Sequence, residues 1–136
     1  MSRQSVLIMI VIAGIFAGAS AFAEERPYDQ IMKDIGATFA NLRKNLDANS
    51  AAAAAEDAAK LEALFGETEA WWSPLKTKDA VRFAKYARDA AAAVGAAARG
   101  NDIENAKATS ANIQKSCGAC HFTHREDTGK GYLIKP

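Results

Sequence analysis

The chain has 136 residues, of which 49% are hydrophobic, and its 17 basic and 16 acidic side chains leave a formal net charge of +1. This length fits one small domain, and the balanced charge without a Lys/Arg block argues against a disordered tail protein and against a nucleic-acid partner. Two cysteines are too few for a fold built on disulfides.

The first 23 residues have the pattern of a secretory signal peptide. A short start with Arg3 precedes an uncharged apolar run over residues 6–18, and Ala21-Phe22-Ala23 supplies the small residues of a cleavage site. The run of 13 residues is shorter than the roughly 20 of a spanning helix, which favours cleavage over a retained membrane anchor. Cleavage leaves residues 24–136 as one domain of zero net charge, exported to a bacterial periplasm with no stable membrane anchor.

The first two predicted helices lie in the N-terminal half of this domain. The first follows Pro27, a residue favoured in a first turn, and its apolar positions recur every three or four residues. The Asn-Ser pair at 49–50 breaks the pattern and supplies a cap for a second helix, which begins at Ala51 and continues to Phe65 or a little beyond, with Gly66 as its end. The apolar face of the first helix consists of Tyr28, Ile31, Met32, Ile35, Phe39, Leu42 and Leu46.

A loop that contains Trp71 and Trp72 leads to the third predicted helix. Thr77 is the expected cap of this helix, which spans residues 78–99. Gly100 follows directly and is expected to end the helix in the usual C-terminal position.

The fourth predicted helix begins after Asn101, because Glu104 three residues later completes a variant of the capping box. The glycines at 129 and 131 indicate a flexible end after this helix. One face of the helix carries Ile103, Ala106, Ser110, Ile113, Cys117, Cys120, His121 and His124.

These helices predict an all-α fold, an antiparallel four-helix bundle with short connections, because no stretch alternates apolar and polar residues as a half-buried strand would. From Glu24 onward the chain has 23 bulky apolar residues, and alanine supplies much of its remaining hydrophobic fraction. Since alanine buries little area, we expect an underfilled interior unless another group occupies it.

The segment Cys117-Gly118-Ala119-Cys120-His121 has the C-x-x-C-H spacing of a c-type haem attachment site. On a helix the two thiols point to nearly the same side, where each forms a thioether with a haem vinyl group. His121 follows at once and is expected to bind the iron as proximal ligand. The motif therefore predicts one covalent haem c, with its iron.

Three alternatives to haem are a disulfide between Cys117 and Cys120, a zinc site that adds His121 and His124, and a chance match. Redox C-x-x-C pairs usually follow a strand at the start of a helix. Structural zinc usually takes two ligand pairs separated by a longer loop. Chance is disfavoured because both cysteines and one of the two histidines of the chain fall inside the motif.

A signal peptide, four helices and a haem motif near the end of the last helix resemble the class II c-type cytochromes, the cytochrome c prime family. That family's C-x-x-C-H-x-x-Tyr-Arg pattern is matched at Arg125, with His124 in the place of Tyr. Its Arg-Gln-x-x-Met-Lys-x-Met-Gly pattern is matched in its second half at residues 32–36. Tyr28-Asp29 replace the Arg-Gln pair that lies near the haem propionates in the family, which leaves Arg26 or another base as the substitute.

The resemblance implies a single-electron carrier rather than an enzyme, with one haem c in a four-helix bundle. It places Met32, the only methionine after cleavage, at the position that binds the iron in low-spin members, and Arg125 in the haem pocket. His/Met ligation favours Fe(II) and suits cycling between Fe(III) and Fe(II). The alternatives are a core Met32 beside a five-coordinate haem that binds nitric oxide or carbon monoxide, and a solvated Arg125 at the helix end.

The resemblance also implies transient redox protein partners that dock over a small patch near the exposed haem edge. It leaves room for a homodimer through the first two helices, as in many members of the family. A catalytic haem enzyme ranks third, since the sequence offers no distal acid/base pair.

Overall fold

The computed structural model describes residues 26–136, so the signal peptide predicted at residues 1–23 lies outside the described residues. Within this range the chain forms four long helices and one short hairpin, which confirms the predicted helical fold. No helix in this range is long and apolar enough to cross a membrane. The elements are α1 (Tyr28–Asp47), α2 (Ala51–Trp72), α3 (Lys78–Arg99), α4 (Ile103–His124), β1 (Arg125–Asp127) and β2 (Tyr132–Ile134).

Connections of three to five residues join the helices, so each helix returns beside the one before it, as in an antiparallel bundle. One turn of 3-10 helix, Ser73–Leu75, fills most of the connection between α2 and α3. Ser50 and Thr77 immediately precede α2 and α3, as predicted, although neither side chain makes a cap hydrogen bond.

The end of α2 lies beyond the prediction. The helix continues through Gly66 to Trp72, so the two tryptophans are helical and the prediction of a loop was wrong. A glycine inside a helix costs only about 0.5–1 kcal/mol relative to alanine. Burial of the Trp72 side chain, which is almost inaccessible to solvent, outweighs this cost, since a fully buried apolar side chain contributes roughly 1.5–3 kcal/mol or more.

The turn between α3 and α4 also differs from the prediction. The N-cap of α4 is Asp102, whose side chain accepts a hydrogen bond from the Asn105 backbone N–H at 3.1 Å. Asn101 has a φ of 57°, and Gly100 keeps a negative φ. Gly100 ends α3 as its C-cap, as predicted, and Asn101 takes the left-handed conformation that asparagine tolerates.

The core is packed most closely between α2 and α3. Ala58 and Ala91 are fully buried there, and a Cβ on Gly95 would lie 3.5 Å from the Cβ of Ala58. These small side chains let the two helices approach closely. Helices α1 and α4 touch at few residues, and the space between them forms the site described below.

The C-terminal end forms a hairpin of two short strands, which the all-helical prediction did not include. Strand β1 pairs with β2 in antiparallel register, with Arg125 opposite Ile134 and Asp127 opposite Tyr132. Gly129 and Gly131 have positive φ values of 74° and 153°. Only glycine adopts the second of these values without strain. The two glycines that indicated flexibility are therefore the residues that make the turn.

Candidate functional site

The last turns of α4 bring Cys117, Cys120 and His121 to one face of the helix. Positions three and four residues apart are neighbours on a helix, so the motif presents its three side chains together. All three are half-buried, and both cysteines are free thiols. Cys117 packs against the edge of the hydrophobic core.

Met32 and Gly36 lie on α1 opposite this face. They are four residues apart on one side of α1, and both line the space that Cys120 and His121 line from α4. Met32 is half-buried and packs against the core cluster. The structure therefore brings together the thiols, the imidazole and the thioether that the sequence analysis singled out.

Two adjoining cavities of about 320 and 470 Å³ occupy the space between α1 and α4. The smaller cavity extends towards Phe39, Phe65 and Phe83, and the larger one towards Trp72 and the hairpin. Both are lined mainly by apolar atoms, and ligand sites typically measure about 300–1,000 Å³. The residues that line both cavities are Tyr28, Met32, Gly36, Cys120 and His121.

Gly36 leaves space where another residue would fill it. A Cβ built at this position would meet no atom within 4 Å, although Gly36 lines both cavities. Larger residues here would project into the gap between α1 and α4. A group seated in this gap would meet the motif of α4 on one wall and Met32 on the other.

Burial sets the protonation of the motif. It raises the pKa of Cys117 above its ordinary value, and it raises the pKa of Cys120 to about 11, with the negative charges of Cys117 and Asp79 adding to the effect. Burial also lowers the pKa of His121, and the charge of Arg125 lowers it further. The imidazole is therefore neutral at neutral pH, which is the form that ligates a metal.

The zinc alternative finds no support in this geometry. His124 is buried, with 7% of its surface exposed, and both of its ring nitrogens are engaged within the protein. Nδ1 lies 2.7 Å from the Lys135 carbonyl oxygen, and Nε2 lies 3.1 Å from an Asp79 carboxylate oxygen. Across residues 26–136, no three or more His, Cys, Asp or Glu side chains form a group that could hold a metal ion by themselves.

The pair of His124 and Asp79 is a structural element that the sequence analysis missed. Partial desolvation raises the pKa of Asp79, but the hydrogen bond and charge of His124 outweigh it, and the net pKa lies below its ordinary value. Asp79 lies in the first turn of α3 and His124 ends α4, so the pair ties these two helix ends together. The residues are 45 positions apart, and no local pattern relates them.

An aromatic cluster closes the site beside Tyr28. The Trp72 Nε1–H donates to the Tyr28 hydroxyl at 2.8 Å, and the Trp71 ring centroid lies 4.3 Å from that of Tyr28. Burial raises the pKa of Tyr28 to about 12, although the Trp72 hydrogen bond opposes this. The Trp72 ring also lies 5.1 Å from that of His124. Tyr28, a residue at which the family pattern is not matched, thus joins the site to α2.

Three arginines differ in what their guanidinium groups contact and in whether they line the gap. Arg125 is exposed, lines the larger cavity, and holds its guanidinium carbon 4.2 Å from the centre of the Tyr132 ring. Arg26 bonds Asp34 at 2.7 Å and Glu67 at 2.9 Å, so its guanidinium is engaged away from the motif. The sequence analysis missed Arg43, which lines the smaller cavity. The position of Arg43 was predictable from its spacing, because it lies seven residues after Gly36 and therefore on the same face of α1.

Comparisons with protein-family models, with curated proteins and with solved structures find no match to this chain. The site is therefore defined by its own residues. The gap between α1 and α4 is apolar and bounded by two neighbouring thiols, a neutral imidazole and a thioether. This donor set fits a flat apolar cofactor with a central metal, fixed by two covalent bonds, because the donors lie on both walls of one gap.

Proposed function

We propose that this chain is a periplasmic monohaem c-type cytochrome of the cytochrome c prime type that transfers single electrons. The observation that carries the proposal is the convergence of Cys120, His121 and Met32 on the same two cavities, with Cys117 beside the smaller one. The C-x-x-C-H spacing is specific for haem attachment. The apolar gap is the unfilled volume that the shortage of bulky side chains predicts, and a haem would occupy it.

Each residue of the site has a stated role in this proposal. Cys117 and Cys120 would hold the haem through two thioether bonds, and His121 and Met32 would bind its iron, His121 as the proximal ligand and Met32 as the distal ligand. The bound haem supplies an iron that alternates between Fe(III) and Fe(II). His121 and Met32 each lie on a long helix packed in the bundle, which restricts their movement when the charge of the site changes.

The charged residues at the gap support the same assignment. Arg43 lines the smaller cavity and Arg125 the larger one, so each cavity has a guanidinium group. Guanidinium groups bind carboxylates through two parallel hydrogen bonds, and haem carries two carboxylate side chains. We assign Arg43 and Arg125 as the residues that would hold these groups, in the place of the Arg-Gln pair that this chain lacks.

Export and partners complete the proposal. The N-terminal pattern of residues 1–23 directs the chain to the periplasm, and c-type haem is attached outside the cytoplasm. Redox proteins would dock transiently over a small patch near the haem edge, as is usual for electron-transfer encounters. The family resemblance leaves room for a homodimer through α1 and α2. The mass of the protein in solution tests for this dimer.

The test begins with the protein produced in cells that attach c-type haem. We expect a mass increase of one haem, absent from the Cys117→Ala, Cys120→Ala double variant, and a low-spin ferric spectrum. Met32→Leu removes the thioether and keeps the side-chain volume, so it should convert the ferric iron to high spin. Leu42→Met is the matched control, because it adds a thioether elsewhere on α1 and should leave the spectrum unchanged.

Two results would contradict parts of this proposal. A wild-type protein without covalent haem would overturn the cytochrome assignment. A high-spin ferric wild type that binds carbon monoxide readily when reduced would remove Met32 as a ligand and favour the gas-binding alternative.

A further inference from the structure

The hairpin of β1 and β2 carries apolar side chains that its own fold leaves uncovered. Tyr132, Leu133 and Ile134 are 61%, 58% and 39% exposed. A pair of three-residue strands cannot bury such side chains by itself, and two-stranded hairpins are at best marginally stable. All three residues nevertheless line the larger cavity, together with Cys120 and His121. The uncovered apolar surface therefore adjoins the candidate site.

The strand register sorts the hairpin into two faces. Residues directly opposite each other share a face, so Arg125 and Ile134 lie on one side with Asp127 and Tyr132. The contact of the Arg125 guanidinium with the Tyr132 ring is a diagonal contact across this face. Leu133 lies on the opposite face with Glu126. We call the face that carries Arg125, Tyr132 and Ile134 the inner face.

Contacts with the helices fix the hairpin beside the gap. The Lys135 backbone N–H donates to the His124 carbonyl oxygen at 2.8 Å, and the Lys135 carbonyl oxygen lies 2.7 Å from Nδ1 of His124. His124 in turn contacts Asp79 at the start of α3. The end of β2 is thus tied to two helices, so the position of the inner face does not depend on a group in the cavity.

We propose that the hairpin is a third wall of the haem site, in addition to α1 and α4. In this inference, which rests on the proposed function, Tyr132 and Ile134 of the inner face pack against the macrocycle. Arg125, held by Tyr132, stands at its edge. The macrocycle is favoured over a protein partner as the occupant because Cys120 and His121, which would hold it, line the same cavity.

Phe122, an exposed aromatic residue on α4, provides a comparison with Tyr132 of the hairpin. Phe122 is 90% exposed and follows the motif directly, but it lines neither of the two cavities. If exposed apolar residues near the motif served only to dock other proteins, Phe122 and Tyr132 would respond alike. If the hairpin is a wall of the site, its cavity-lining residues report on the haem and Phe122 does not.

The direct test measures the methyl signals of the haem-bearing ferrous protein by nuclear magnetic resonance. A methyl group packed against the macrocycle experiences its ring current, so the Ile134 signals should lie upfield of the ordinary methyl region. The signals are assigned by their loss in Ile134→Val. Ile103 lies at the start of α4 and lines neither cavity, so its methyl signals should keep ordinary positions.

A second measurement uses a small reductant. Tyr132→Ser and Ile134→Ser should each increase the rate of ferric haem reduction by ascorbate severalfold, because they open the larger cavity to water. Phe122→Ser removes an even more exposed aromatic side chain outside both cavities and should leave the rate near that of the wild type.

The outcomes separate this inference from the proposed function. Covalent haem with unshifted Ile134 methyl signals, or with equal rates in Tyr132→Ser, Ile134→Ser and Phe122→Ser, would overturn the hairpin wall and leave the cytochrome assignment intact. Loss of self-association or of partner binding with unchanged ascorbate rates would also overturn it, since the face would then serve a protein. A wild type without covalent haem would overturn both.

Discussion

The two sides of this bundle are packed in opposite ways. Between α2 and α3, alanines and Gly95 allow close approach, and Ala58 is fully buried. Between α1 and α4, Met32 and His121 remain half-buried around two cavities. Small side chains therefore do not leave the whole interior loose. They allow close approach at one interface, and the missing volume lies beside the other, where the reactive side chains lie.

The comparison also explains why the hairpin matters. A closed interface such as that of α2 and α3 needs no further cover, because the two helices shield each other from water. The open interface of α1 and α4 is bounded on one side by the aromatic residues Tyr28 and Trp72 and on another by the hairpin. The hairpin, which lies outside the four helices, thus borders the interface at which two helices touch at few residues.

The largest effect on stability is expected from Ala58→Leu, in the closed interface. The added side chain has no space against Gly95, and overpacking of this kind typically costs about 1–3 kcal/mol of the free energy of unfolding. Urea denaturation measures the change. Ala40→Leu, at an exposed position of α1, is the control and should change stability by less than about 0.5 kcal/mol. Equal stabilities of the two variants would show that α2 and α3 are not closely packed.

A smaller, pH-dependent effect is expected from Asp79→Asn, at the junction of the hairpin with the bundle. Because the pKa of Asp79 is lowered in the folded protein, the unfolded chain binds its proton more readily, and the carboxylate stabilises the fold above its ordinary pKa of 3.8. This contribution is lost as the pH falls through the lower, folded value. Asp79→Asn should therefore be less stable than the wild type at pH 6, and the difference should disappear in acid.

The control for the acid series is Glu62→Gln, which neutralises an exposed carboxylate of α2. Denaturation at several pH values should show little difference between this variant and the wild type. A pH-independent difference for Asp79→Asn would instead indicate that its carboxylate does not act through charge.

The smallest effect on stability is expected from Gly36→Leu, in the open interface. Helix propensity favours the substitution by about 0.5–1 kcal/mol, and a Cβ at this position meets no protein atom within 4 Å. The leucine side chain occupies the gap beside Met32, so the ferric spectrum should change although the fold does not. Gly66→Leu brings the same gain in propensity outside both cavities and should leave the spectrum as it is. An unchanged spectrum in Gly36→Leu would show that the gap is not the haem site.

Much of the architecture was predictable from local patterns. The starts of α1, α2 and α3 and the end of α3 follow the periodicity and the breaks in the sequence. The apolar stripe of α1 includes Met32, and the resemblance to the cytochrome c prime family implied its place opposite His121. The cap of α4 was assigned one residue too early, and the larger errors concern α2 and the C-terminal segment, where a glycine was taken as an end and two others as a sign of flexibility.

The larger errors have the same physical origin. Gly66 is conformationally free, and whether a helix passes through it depends on the burial of Trp72 six residues later. Gly129 and Gly131 permit either a loose end or a turn, and the contacts of His124 with Asp79 and Lys135 select the turn. Local sequence describes what the backbone permits, and distant contacts select among those conformations.

By itself, the sequence determined the helices, the spacing of the two thiols and the imidazole, and the total shortage of bulky side chains. It did so because helix propensity and motif spacing are properties of neighbouring residues. Only the tertiary structure decided where the missing volume lies and that the hairpin bounds it. Those features depend on contacts between residues such as Asp79 and His124, which are far apart in the chain and adjacent only in the folded bundle.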